Sequence, residues 1–201
     1  MTLATALDRL VPAPGSPIDA VAAVAHQALG RLAAAPAGEP VVRALRGDAL
    51  PGRALHPYVV GIPTGAWLLA GWYDRQDARG DAAASGRADR ALTVGLAGAL
   101  LAWPTGQAQF LLTHGAARRE AALHAALNSV ALGFQLGSLQ ARSVGRRRLG
   151  RALSLTALAV LPVSGVLGAD VATRLGRGLP IPALRRTRLA AVPRFNVGAA
   201  P

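Results

Sequence analysis

Cysteine and lysine are both absent from the chain. Without a thiol there is no disulfide, no thiolate nucleophile and no cysteine-ligated iron–sulfur cluster in this polypeptide. Without lysine, every one of the 22 basic residues is arginine, and the abundance of Ala, Gly and Pro beside them is the usage that a GC-rich bacterial genome favours. Aromatic residues are scarce, at 4%. The arginines are not gathered into a stripe beside stacking rings, so the net charge of +12 does not describe a nucleic-acid reader. The first residues carry neither a basic stretch nor an apolar core long enough for a secretory signal. No repeat stands out at solenoid periods.

What the chain does have is apolar sequence. A hydrophobic content of 52% with 16% charged residues departs from the soluble average in the direction of a bilayer protein. Four windows hold no Asp, Glu, Arg or Lys: 20 residues at 54–73, 27 at 91–117, 21 at 121–141 and 18 at 152–169. A helix rises about 1.5 Å per residue, so about 20 residues cross a hydrocarbon core of about 30 Å. A soluble bundle of Ala-rich helices would instead need a polar face recurring about every 3.6 residues. Residues 91–103 offer one Thr, and residues 152–163 offer only Ser154 and Thr156.

Within the windows, Gly95 and Gly98, Gly133 and Gly137, and Gly165 and Gly168 are spaced to let helix backbones approach closely, a main source of helix association in lipid. Pro63, Pro104 and Pro162 fall inside spans, where neighbouring helices can satisfy the freed carbonyls. Trp67, Trp72, Tyr73 and Trp103 supply interface anchors, with Tyr73 beside Asp74 closing the first span. The expected architecture is all-α: a four-helix transmembrane bundle over 53–175, with spans at about 56–73, 91–112, 121–141 and 152–170. This would be a multi-pass protein of the cell membrane. Arginine is divided almost evenly between the two membrane sides, so the positive-inside rule does not orient it.

Residues 1–52 read as a peripheral helical arm and linker. Ser16 can cap a helix, Pro17 suits its first position and Asp19 favours the positive end of its dipole. Ile18, Val21, Ala22, Ala25, Leu29 and Leu32 then recur at helical spacing, a face for the bilayer or for the bundle. Residues 176–201 read as a basic, poorly ordered tail suited to anionic headgroups.

Alternation of four spans puts the start of the first, the end of the second, the start of the third and the end of the fourth on one side. Those ends carry His56, Gln109, His124, Asn128 and Asp170, and His124 and Asn128, four apart, share a helix face. Polar side chains at membrane depth are costly and turn inward, so they form the candidate site. Two histidines can ligate haem iron or relay protons, or they can join helices by hydrogen bonds. His26 and His114 read as solvent or headgroup residues. Ser154 and Ser164 lack the partners of a catalytic triad, the glycine pairs lack the strand context of a dinucleotide loop, and no metal site is expected. Asp74, Asp77 and Asp81, alternating with Arg, read as a solvated loop.

Several short motifs, in order, resemble a bacterial membrane family known as domain of unknown function 2231. They are Leu7-Asp8-Arg9-Leu10, Leu45 through Pro57 with Leu55-His56-Pro57, Pro63-Thr64-Gly65-Ala66-Trp67, and Asp74. Further along come Thr105-Gly106, Leu123-His124-Ala125-Ala126-Leu127-Asn128, Ser138 with Arg142, and Leu153-Ser154-Leu155. The resemblance runs from about Leu7 to Leu179 and implies four membrane helices with an arm in front. It also implies a link to electron transfer, because relatives are often joined to a Rieske-type iron–sulfur domain; with no cysteine here, that protein would be separate. Similar proteins often carry a second His near Arg53, an acidic residue near Gln109 and a Gly-Gly-His-like turn where this chain has Gly168-Ala169-Asp170, so any site made by those positions is altered.

The function expected is that of a non-enzymatic integral membrane protein: an anchor, assembly or electron-transfer accessory subunit. The alternatives are a membrane redox protein binding haem between His56 and His124, and a small transporter or proton pathway. The expected partners are the lipid bilayer and a separate redox or Rieske-type protein, with a homo-oligomer left open.

Overall fold

The computed structural model describes residues 9–49 and 54–173. The basic tail expected at 176–201 lies outside the described residues. Every regular element among those described is a helix. The first, α1 (Pro17–Ala33), begins where the capping pattern predicts: Ser16 Oγ accepts from the Asp19 N–H at 3.2 Å and proline opens the first turn. A short α2 (Gly38–Arg46) follows and ends on Gly47, whose φ of 80° is the left-handed cap that glycine adopts without strain.

The first expected span is broken in two. A single turn, α3 (His56–Val59), precedes α4 (Gly61–Ala78). Pro57 is tolerated in the opening turn, whereas Pro63 has no N–H to offer the Val59 carbonyl and its ring crowds that group, so the helix is interrupted at Val60. The other long helices are α5 (Ala82–Phe110), α6 (Gly115–Ser143) and α7 (Arg147–Ala172). Their connections are a few residues long, which forces neighbours to run antiparallel. Each continues past its charge-free window, so the flanking Asp and Arg ride on helix rather than in loops.

Helix α4 packs along α5 and α6 along α7, and the two pairs meet through α5–α6 and α4–α7 contacts. Small residues bring them close. The indole of Trp67 lies directly over Gly95, and Ile62 and Pro63 lie over Gly98. Gly133 and Gly165, by contrast, face open space, so only one member of each of those expected glycine pairs sits at a helix contact. The interior is built mainly from alanine, including Ala70, Ala84, Ala88, Ala131 and Ala157, around Trp67, Leu92, Leu96 and Leu167.

The arm sits on this assembly, α1 against α6 and α2 against α5. Arg118 reaches Asp19 at 3.1 Å, and Arg119 Nε donates to the Pro12 carbonyl at 2.7 Å. The Gly15 N–H and then Arg118 hold the Asp19 carboxyl below its ordinary range. The apolar face expected on α1 is divided: Ala22 is buried, while Val21 and Leu32 are exposed.

Among the described residues, α7 alone is both long and apolar enough to cross a membrane by composition, with mean hydropathy 1.9 over its best stretch. Only 22% of that stretch is buried, unlike the enclosed core helix of a soluble protein.

Because the indole edge of Trp67 occupies the space a side chain at Gly95 would need, Gly95→Ala is expected to cost about 1–3 kcal/mol through forced repacking. Gly165→Ala, facing open space, is expected to be neutral or to gain up to about 1 kcal/mol from helix propensity. Unfolding of the two purified variants in parallel checks the contrast.

Candidate functional site

Two polar layers lie at opposite ends of the long helices. The first contains the histidines. His124, on α6, has Nδ1 at 2.7 Å from the Ser164 carbonyl oxygen of α7, and a carbonyl only accepts, so Nδ1 carries the proton. Nε2 is then a lone pair, and it accepts from Asn128 Nδ2 at 3.0 Å. The loop closes through Ser164 Oγ, which donates to Asn128 Oδ1 at 2.9 Å. Every polar atom in this trio has a partner while the imidazole is neutral.

His56 repeats half of the device. Thr105 Oγ1 donates its proton to the Ala102 carbonyl at 2.6 Å, leaving its oxygen to accept from His56 Nδ1 at 2.9 Å, with the same carbonyl at 3.2 Å. Each imidazole is seated against a glycine of the neighbouring helix, His56 on Gly106 and His124 on Gly168; a Cβ there would come within 2.9 Å and 2.7 Å of the respective Cε1.

Of the remaining candidates, Asp170 is buried near the end of α7 and has an interaction partner. Gln109 is half-buried late in α5; no hydrogen bond joins it to either histidine. His26 and His114, expected as solvent or headgroup residues, lie 5.8 Å apart, ring to ring; His114 is exposed, and half-buried His26 donates from Nε2 to the Leu111 carbonyl at 3.2 Å. They clasp α1 to the α5–α6 turn.

Haem ligation requires the Nε2 lone pair. Donation of Nδ1–H to a carbonyl is the orientation that suits a metal-bound histidine, but Asn128 already holds Nε2 of His124, and Ser164 fixes which way that amide points. The arrangement therefore does not fit haem between His56 and His124. It fits hydrogen bonding between helices.

The second layer was not anticipated. Arg142 on α6 has a side chain only 1% exposed and forms a fork with Asp74 of α4, NH1 to Oδ1 at 2.7 Å and NH2 to Oδ2 at 2.5 Å. NH1 also reaches Asp89 of α5 at 3.1 Å, and Nε donates to Ser138 Oγ at 3.0 Å, whose own proton goes to the Gly150 carbonyl of α7 at 2.7 Å. One guanidinium thus links all four long helices. Arg147 extends the layer to Asp89 at 2.9 Å and to Asp77 at 3.5 Å, and Arg151 also reaches Asp77 at 3.5 Å.

Asp74 and Asp77 are therefore helix residues, one buried and one half-buried in this ionic lattice, rather than part of the solvated loop expected; Asp81 does stand in the turn, where it caps α5 by accepting from the Ala83 N–H at 3.0 Å. The available signal was Asp74 and Arg142, each closing a span on the same side.

A family described as predicted membrane proteins, DUF2231, matches residues 52–179. The chain belongs to that family. Comparison with curated proteins and with solved structures found no match. The DUF2231 region contains both polar layers whole, whereas the two helices of the arm precede it.

Burial works against the charge on Arg142, but the hydrogen bonds and charges of Asp74 and Asp89 outweigh it and hold the guanidinium above its ordinary value. For Asp89, burial pushes the carboxyl up, and Arg147 and Arg142 together bring it below its ordinary 3.8. A carboxylate depressed in the folded state stabilises fully above its unfolded pKa and loses that contribution as pH falls through the folded value. Stability from this layer should accordingly be flat through neutral pH and fall below about pH 4, within the carboxylate range. Asp74→Asn, which breaks the buried fork and leaves Arg142 only the partly exposed Asp89, is expected to cost about 3–5 kcal/mol, and Arg142→Lys, which loses the fork, should not behave as wild type. Unfolding measurements across pH on these variants decide both points.

Proposed function

We propose that the chain is a multi-pass protein of the cell membrane whose four long helices all cross the bilayer as a bundle, with the α1–α2 arm at the membrane surface. In this reading it serves as an anchor, assembly or electron-transfer accessory subunit and not as an enzyme. The observation that carries the membrane reading is an inversion of size between interior and rim. Around Trp67, Leu92, Leu96 and Leu167 the interior is mainly alanine, glycine, serine and other polar groups, while Leu68, Leu69, Leu100, Leu101, Leu136, Leu155 and Val163 point outward, Leu100 at 70% exposure. A soluble protein would place those side chains inside, and a contiguous apolar surface of this kind marks contact with a membrane or partner. Small residues inside are what helix packing in lipid selects.

Helices α4, α5 and α6 have lower hydropathy than α7 because they hold the polar residues of the two layers, and these face one another. A span in a bundle needs apolar groups only where it meets lipid. Trp72, exposed near the end of its span, suits interfacial depth. The accessory role is supported by the chemistry of the first layer, in which His124, Asn128 and Ser164 are committed to joining helices. A separate Rieske-type redox protein is the partner that the resemblance implies, and the end bearing His56 and His124, where the arm is clasped, is the face we assign to it.

The lack of cysteine allows single-cysteine probing without background. Cysteines at Arg79 and Arg146 are expected to react with an impermeant maleimide from one side of sealed vesicles, and one at Ala116 from the other. One at Leu100 should remain protected until detergent is added. Labelling of all four from the same side, or recovery of the protein from a membrane-free extract, would overturn the four-span reading.

A further inference from the structure

The ionic layer has a remainder. Four carboxylates stand at that end of the long helices, and each is taken: Asp74 by Arg142, Asp89 by Arg142 and Arg147, Asp77 by Arg147 and Arg151, and Asp81 by Arg87 at 2.5 Å. Arg75 and Arg79 form no salt bridge with any described residue, although Arg75 stands on the same helix as Asp74 and Asp77 and Arg79 is its C-cap. They are exposed and one turn apart, and with Trp72 and Gln76 they make a single stripe on α4, because positions three, four and seven apart share a helix face.

That stripe and Asp81 line a half-enclosed hollow of about 280 Å³. Trp72, 57% exposed, is its aromatic lining residue. Arg75 and Arg79 contribute two guanidiniums, and Gln76 supplies an amide. The one carboxylate there, Asp81, is spent: one oxygen accepts from the Ala83 N–H and the other is bridged by Arg87, which also lies over the Tyr73 ring at 5.3 Å. The net character of the hollow is thus cationic beside an indole, at the level where α4 leaves its apolar stretch.

We infer that this hollow is a binding site for the phosphate headgroup of an anionic phospholipid, with Arg75 and Arg79 as its ligands and Trp72 against the upper acyl chains. The inference rests on the membrane reading above and deepens it. Guanidinium forks match phosphate oxygens in pairs, and an exposed indole beside them suits the boundary between headgroup and hydrocarbon. A free phosphate ion would use the two arginines but have no use for Trp72 or for the depth of the hollow, which is why a lipid is the occupant assigned.

The test uses the full chain purified in detergent from the membrane fraction, with phosphatidylglycerol and phosphatidylcholine as probes and native mass spectrometry counting the lipids retained. Wild type should retain phosphatidylglycerol over phosphatidylcholine. Two phosphate contacts at a membrane surface make the expected loss in Arg75→Gln/Arg79→Gln about thirtyfold in affinity. Arg148→Gln, an exposed arginine outside the hollow, should bind as wild type, and millimolar inorganic phosphate should not displace the lipid. Circular dichroism confirms that the variants keep their helices. Equal retention of the two lipids overturns the inference, as does a double variant that binds as wild type, an equal loss in Arg148→Gln, or displacement by phosphate. Failure of the membrane reading would show earlier and differently, as protein absent from the membrane fraction.

Discussion

A guanidinium almost wholly removed from solvent is the constraint on which the rest of the helix assembly turns. Arg142 does not titrate away its charge under ordinary conditions, so folding must deliver Asp74 to it, and a mispositioned helix leaves an uncompensated ion in a low-dielectric interior. Ion pairs of this kind contribute little net stability, because desolvation offsets most of the attraction. Their contribution here is register. The fork reads α4 through Asp74 and α5 through Asp89, and Ser138 passes the same group on to the backbone of α7 at Gly150. Sliding any of the four helices by one turn, about 5.4 Å, would leave the fork without its carboxylate or the hydroxyl without its carbonyl. The alanine-rich interior needs such a device, since small smooth side chains interlock weakly.

The histidine layer performs the neutral version of the same task. His124, Asn128 and Ser164 satisfy one another with no formal charge, and the arm closes over that end through His26, His114 and the Asp19–Arg118 pair. The two ends of the assembly are thus fastened differently. One uses full charges near the apolar boundary, and the other uses hydroxyls, an amide and imidazoles.

Much of this was legible in the residues. Long helices followed from the charge-free windows, the start of α1 from Ser16 and Pro17, and the shared face of His124 and Asn128 from their spacing. The ionic layer was not, and the reason is specific. Treating Asp and Arg as the ends of helices discards them from the interior, yet α5 begins at Ala82, before Asp89, and α6 runs to Ser143, beyond Arg142. The residues that set the register were therefore the ones used as boundaries. The interruption at Val60 was also hidden, because Pro63 acts on a carbonyl four residues earlier. Gln109 shared a side with His124 by alternation, but a membrane side is a layer and not a contact.

The seating of the two imidazoles has a consequence for how the two halves of the bundle can pair. His56 Nδ1 meets the Ala102 carbonyl and its ring rests on Gly106; His124 Nδ1 meets the Ser164 carbonyl and its ring rests on Gly168. In both cases the glycine follows the carbonyl by four residues. Asp74 stands eighteen residues after His56, and Arg142 eighteen after His124. The hairpin of α4 and α5 thus matches that of α6 and α7 at these landmarks, although the carbonyl comes 46 residues after His56 and 40 after His124, and the two hairpins run in the same direction. Asp74 and Arg142 are then matching positions that meet each other between the two halves. In a dimer of identical hairpins that position would face itself, like charge against like. Opposite signs are available there because both hairpins belong to one chain, and they bind the two halves into an order that neither could take with its own copy.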